Sequence, residues 1–149
     1  MRTFEDFTVG ETIAHGGRTV SAEEIVSFAA LYDPQPFHRD AAAPETQETG
    51  GLVASGWHVG MIFMQLLVNS MLLPSTSMGS PGIDTLQWVK PVRPGDTIRA
   101  RSTVLAMRLS RSRPEMGLVR FRHEAQDAGG EVLMVLENSI MFGRRRGAA

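Results

Sequence analysis

The 149-residue chain contains no cysteine. Disulfide staples, thiolate catalysis and cysteine-ligated zinc or iron–sulfur centres are therefore excluded, and the fold must rest on packing alone. No apolar run reaches the ~20 residues that a membrane span needs. The most apolar stretch, Val59 to Leu73, is interrupted by Gln65, Asn69 and Ser70. The opening residues Met1 to Asp6 carry acids and no apolar leader, so a cytoplasmic protein is expected. An excess of one charge is also missing: 15 basic against 16 acidic residues leave −1, which excludes a globally basic nucleic-acid binder. There is no G-x-x-x-x-G-K-[ST] phosphate loop, no G-x-G-x-x-G and no G-x-S-x-G elbow. The four histidines His15, His38, His58 and His123 show no ligand spacing, so no metal site is expected. Repeats and linkers are absent too, and residues 1–149 read as one domain.

The near-zero charge hides a split. Residues 1–50 sum to −6, residues 51–88 to −1 and residues 89–149 to +6, a pattern that hints at an anionic partner for the basic part or at mutual neutralisation. With 42% hydrophobic residues the chain should bury a substantial core.

Ser21 and Glu24 have capping-box spacing, and Val20 with Ile25 that of a hydrophobic staple, so a helix begins there. Its stripe of Ile25, Phe28, Ala29 and Tyr32 runs to Asp33-Pro34, where proline pushes the preceding residue out of the helical region. Pro34 to Gly51 reads as a long shaped loop, too punctuated by proline and glycine for a regular element. From about Leu52 to Leu73 the chain is apolar on nearly every face, the pattern of a helix wrapped by other structure. Strands are expected over 11–20, 83–90, 97–107, 119–125 and 132–142, the last apolar on both faces at Leu133 and Val135. The class is α+β, a curved, mostly antiparallel sheet around a helix.

Two segments can carry chemistry. Asp33-Pro34-Gln35-Pro36-Phe37-His38 sets a carboxylate and an imidazole five residues apart on a backbone stiffened by two prolines. With ordinary pKa values of ~3.9 and ~6.5, such a pair can orient and deprotonate a water near neutrality. On spacing alone the plainer role is preferred, an Asp-Pro turn followed by an ordinary loop histidine. Ala54-Ser55-Gly56-Trp57-His58 opens the apolar helix, where free N–H groups can hold a carbonyl that gains negative charge. On local signal alone a capped helix start, with Trp57 and His58 as packing side chains, is preferred for that segment. Arg144-Arg145-Arg146 reads as a solvated tail, and the nine methionines as core filler.

Taken together these residues resemble the MaoC-like dehydratase family, which includes (R)-specific enoyl-CoA hydratases and has the hot-dog fold. Asp33, Pro36 and His38 match, in register, a family motif of roughly Gly-Asp-x-Asn-Pro-aliphatic-His. The segment 54–58, the turn Lys90 to Thr97 and the opening Phe4 to Glu11 are similar to family segments as well. Gln35 stands where Asn is usual, Tyr32 where Gly is usual, and Phe37 where a smaller aliphatic is common. The resemblance implies reversible hydration of a 2-enoyl-CoA, with Asp33 and His38 sharing one water. Gly56 would hold the thioester oxygen, and Gln35, Ser55 and Trp57 complete the implied substrate-binding set. It further implies no cofactor, a homodimer or dimer of dimers, and CoA phosphates met by arginines among Arg99, Arg101, Arg120 and Arg122. The same fold hosts acyl-CoA thioesterases, and a non-catalytic acyl-CoA-binding protein is the third alternative.

Overall fold

A computed structural model describes residues 1–147. Five strands form one sheet in the order β1-β3-β4-β5-β2, every neighbouring pair antiparallel. They are β1 (Thr12–Thr19), β2 (Ile83–Trp88), β3 (Thr97–Leu109), β4 (Met116–Gln126) and β5 (Val132–Gly143). Between β1 and β2 run α1 (Ala22–Tyr32), α2 (Pro36–Arg39), α3 (Pro44–Glu48) and α4 (Gly56–Leu67), the last continuing as one π-helical turn, Val68–Leu72. Val59, Ile62, Phe63 and Leu67 of α4 are buried with Val104, Phe121 and Phe142 of the sheet. This is the expected α+β sheet around a helix.

The local signals at α1 are realised. Glu24 N–H donates to Ser21 Oγ at 3.1 Å, Ser21 N–H donates to Glu24 Oε2 at 3.2 Å, and the staple residues Val20 and Ile25 are both fully buried. Four expectations need correction. The loop 34–51 holds two one-turn helices, each with proline in its first turn, where a missing N–H costs nothing. The apolar helix starts at Gly56 rather than Leu52, because the N–H groups of Val53 and Ala54 are drawn sideways to Phe37 O at 3.1 Å and Val92 O at 2.8 Å. Nor is α4 fully wrapped: Trp57, Met61 and Met64 are 56%, 52% and 44% exposed, so those methionines are not core filler, unlike Met71, Met116 and Met134. Finally, two of the three terminal arginines are anchored. Arg144 Nε donates to Glu5 Oε1 at 3.0 Å and Arg145 pairs with Asp6 at 2.5 Å.

A buried polar row crosses the sheet beneath α4. His15 Nδ1 meets Ser70 Oγ and its Nε2 meets Ser102 Oγ, both at 2.7 Å. Ser102 Oγ in turn lies 2.6 Å from His123 Nδ1, whose Nε2 is 2.9 Å from Asn138 Oδ1. Burial pushes both imidazoles down to about 4, so they are neutral partners in a core network.

Candidate active site

The exit of α1 and the first turn of α2 bring a carboxylate and an imidazole together. Asp33 ends α1, its N–H still bonded to Ala29 O at 3.0 Å, and adopts φ −150°, ψ 71° before Pro34. Pro36 then opens α2, which carries His38 back toward Asp33. His38 Nε2 and Asp33 Oδ2 lie 3.3 Å apart, with the two side chains only 9% and 18% exposed.

The ring is oriented from behind. His38 Nδ1 sits 2.6 Å from the backbone carbonyl of Val53. A carbonyl only accepts, so Nδ1 carries the hydrogen, and in the neutral ring Nε2 presents its lone pair to Asp33. Two acceptors therefore face each other, the arrangement that a water with two hydrogens can bridge.

Asp33 is held ionised. Burial raises its pKa, but the Ser55 hydroxyl and the Gln35 amide, joined by the charge of the His38 ring when that ring is protonated, outweigh this and lower it. Gln35 Nε2 donates to Asp33 Oδ1 at 2.7 Å, leaving Oδ2 for the space shared with His38. Ser55 precedes α4 without capping it. Its buried Oγ forms no hydrogen bond of ordinary geometry, yet lies near enough to Asp33 to favour the charged form.

The expected set thus divides. Asp33, Gln35, His38 and Ser55 converge, whereas Trp57 stands on the exposed face of α4, edge-on to Trp88 with centroids 5.2 Å apart. Gly56 has the first N–H of α4, which has no intrahelical partner. Its lack of a side chain serves a packing purpose that was not anticipated: an added Cβ would come within 2.4 Å of the Trp88 indole, whose Nε1–H donates to Gly56 O at 2.8 Å. A recess of about 210 Å³ beside it is lined by Val59, Trp88, Lys90 and Leu133 among others. His58, singled out only as a packing residue, is buried and stacks on Phe28 at 4.6 Å.

Of the four strand arginines, three already face carboxylates. Arg101 pairs with Glu124 at 2.7 Å, Arg120 with Glu137 at 3.0 Å, and Arg122 lies 3.5 Å from Glu137. Sequence reasoning missed Val53, because a backbone carbonyl leaves no mark in residue type. It also missed the His15–Ser102–His123 row, whose members are far apart in the chain and were weighed singly. Among the described residues no cluster of three or more metal-ligating side chains occurs, and no helix is long and apolar enough to cross a membrane.

A five-stranded antiparallel sheet around a helix, with an Asp–His pair at the helix-flanking loop, defines a hot-dog protein. The chain belongs to the family of the MaoC-like domain, whose family model matches residues 6–125. The crystal structure of the MaoC-like dehydratase from Rhodospirillum rubrum superposes with a TM-score of 0.87 at 39% identity, covering 96% of this chain and 97% of that one. The (R)-hydratase of A. caviae superposes with a TM-score of 0.68 at 25% identity, over 91% and 97% of the two chains. Mesaconyl-CoA hydratase of Cereibacter sphaeroides is 35% identical over 152 aligned positions, which take in 99% of this chain but 43% of that enzyme. The chain therefore spans less than half the length of that relative.

Proposed function

We propose that the protein reversibly adds water to a 2-enoyl-CoA, giving the 3-hydroxyacyl-CoA. The observation that carries this reading is the opposition of two acceptors, Asp33 Oδ2 and the bare Nε2 of His38, at 3.3 Å. A water donating one hydrogen to each presents its oxygen lone pair outward, toward C3 of the enoyl group. As the C3–O bond forms, a proton of the water passes to Asp33, and the C2–C3 π electrons move onto the thioester oxygen as an enolate. The proton crosses from Asp33 to Nε2 of His38, which delivers it to C2 as the enolate collapses. Hydroxyl and hydrogen of one water are thereby added, and the reverse sequence eliminates it. Gly56 N–H is the donor for the enolate oxygen, an interaction stronger in the transition state than in the ground state. Gln35 and Ser55 act on Asp33, keeping it ionised for the first proton transfer. The thioester itself acidifies C2, so these steps call on no cofactor.

The functional unit in this reading is a homodimer or a dimer of dimers of one-domain chains. Strand β2 has one unpaired edge and exposes Ile83 and Trp88, and Trp88 packs edge-on against Trp57 of α4, whose same face exposes Met61 and Met64. A two-fold copy of the same edge and face covers both at once, which an unrelated surface would not. Light scattering of the wild type against Met61→Glu tests this, a dimer giving way to monomer; a wild type that stays monomeric at micromolar concentration would refute it.

A panel of 2-enoyl-CoA esters, followed for the enoyl chromophore and for free thiol together, tests the activity. Loss of chromophore without thiol is expected. Thiol release would make the protein a thioesterase, and binding without either signal a non-catalytic acyl-CoA binder.

A further inference from the structure

His38 is aimed by one backbone carbonyl, and that carbonyl lies outside any helix or strand. Val53 N–H itself donates to Phe37 O at 3.1 Å, and two further clamps, both from the turn between β2 and β3, bracket the residue. On one side Ala54 N–H donates to Val92 O at 2.8 Å. On the other the Arg93 guanidinium reaches across, Nη2 donating to Thr49 O at 2.6 Å and Nη1 to Gly51 O at 3.2 Å. Arg93 is itself braced, since its N–H donates to Asp96 Oδ2 at 2.8 Å, and Val20 N–H donates to Asp96 O at 3.0 Å beside the start of α1.

The corner that Arg93 grips is closed locally on the end of α3, Gly50 N–H donating to Gln47 O at 3.0 Å, Gly51 N–H to Thr46 O at 2.9 Å and the Thr49 hydroxyl to Gly51 O at 2.9 Å, and Arg93 is what ties it to the turn between β2 and β3. Gly50 and Gly51 adopt φ of 78° and 121°, in the region that favours glycine, and neither has a side chain with which to pack. The guanidinium is spent on carbonyls rather than on a carboxylate, and its planar fork holds both in fixed directions.

We propose that Arg93 is a positioning residue for His38: its grip on Thr49 and Gly51 fixes the Val53 carbonyl, and through it the tautomer and direction of the imidazole. Arg93 touches neither substrate nor the reacting atoms. The consequence for turnover rests on the hydratase reading, whereas the consequence for the ring does not.

The test reads the ring directly. Imidazole ¹⁵N shifts of His38 in the full chain report which nitrogen carries hydrogen, and the wild type is expected to show Nδ1–H alone. Arg93→Ala and Arg93→Lys should each give a mixture of tautomers, with circular dichroism unchanged. In the hydration assay kcat should fall about 10- to 100-fold while KM moves less than about threefold, the signature of a misaimed group rather than of lost binding. Guanidinium at low millimolar concentration should restore part of the rate in Arg93→Ala and none in Arg93→Lys. Should Arg93→Ala fail to fold, Arg93→Lys carries the same readouts. Unchanged His38 shifts in a folded variant overturn the proposal. A wild type without hydratase activity overturns the functional reading instead, and leaves the shifts to decide the role of Arg93.

Discussion

Lowering the pH from 7 to 5 is expected to remove about 4 kcal/mol of folding stability through two imidazoles that hardly meet solvent. His15 and His123 are 5% and 1% exposed and share Ser102 between them. Burial pushes each down to about 4; the Asn138 contact raises His123 and the neighbouring His15 lowers it, without reversing the direction. In the unfolded chain both return to about 6.5. The unfolded state therefore takes up protons first as the pH falls. This contribution to stability is complete above 6.5, declines as the pH drops toward 4, and is gone below that. Between pH 7 and pH 5 each ring accounts for about 2 kcal/mol, a large share of the roughly 5–15 kcal/mol that holds an ordinary domain together. Carboxylates act in a lower window, because Asp33 and Glu5 lie below their ordinary 3.8 and 4.5. Urea unfolding at pH 7, 6 and 5 measures the loss. The same series on His15→Asn/His123→Gln should leave only the slope due to His58, which burial also lowers. A wild-type stability at pH 5 within 1 kcal/mol of that at pH 7 would refute the reasoning.

Gln35→Met removes the amide that donates to Asp33 Oδ1, so the carboxyl pKa rises and the acid limb of kcat/KM moves to higher pH; a superimposable profile would show that Gln35 does not tune Asp33. Gly56→Ala forces a methyl against the Trp88 ring, an overpacking that costs about 1–3 kcal/mol of stability. Thermal or urea unfolding reads that loss, and pairing it with Trp88→Ala, which removes the indole, should cancel most of the penalty.

Much of the fold was legible because its signals are local or periodic. The capping box at Ser21 and the proline after Asp33 act within a few residues and are realised, and the strand alternation from Val119 holds through His123, failing at Glu124, which is buried beside Arg101. The Asp33–His38 pair was nominated by local signals, two prolines fixing the chain between them, but spacing alone favoured a plain Asp-Pro turn and the family resemblance singled the pair out. What was not legible depends on partners far along the chain. Residues 52–55 are apolar enough for helix, yet Phe37 and Val92 draw their N–H groups elsewhere. Gly56 was read for its N–H, whereas its lack of a side chain makes way for the indole of Trp88, from another element. His15 and His123 carry meaning only through Ser102, and the orientation of His38 only through a carbonyl.

The central claim is that Asp33 and His38 act on one shared water. Hydration rates of Asp33→Asn, His38→Gln and the double variant, measured on the 2-enoyl-CoA that the wild type turns over fastest, test it most directly. Each single change should lower kcat/KM by about 10²–10⁴-fold. The double variant should lose little more than either single one, because a shared water is already unheld once one partner is gone. Losses that multiply, or an Asp33→Asn variant that hydrates at the wild-type rate, would contradict the account.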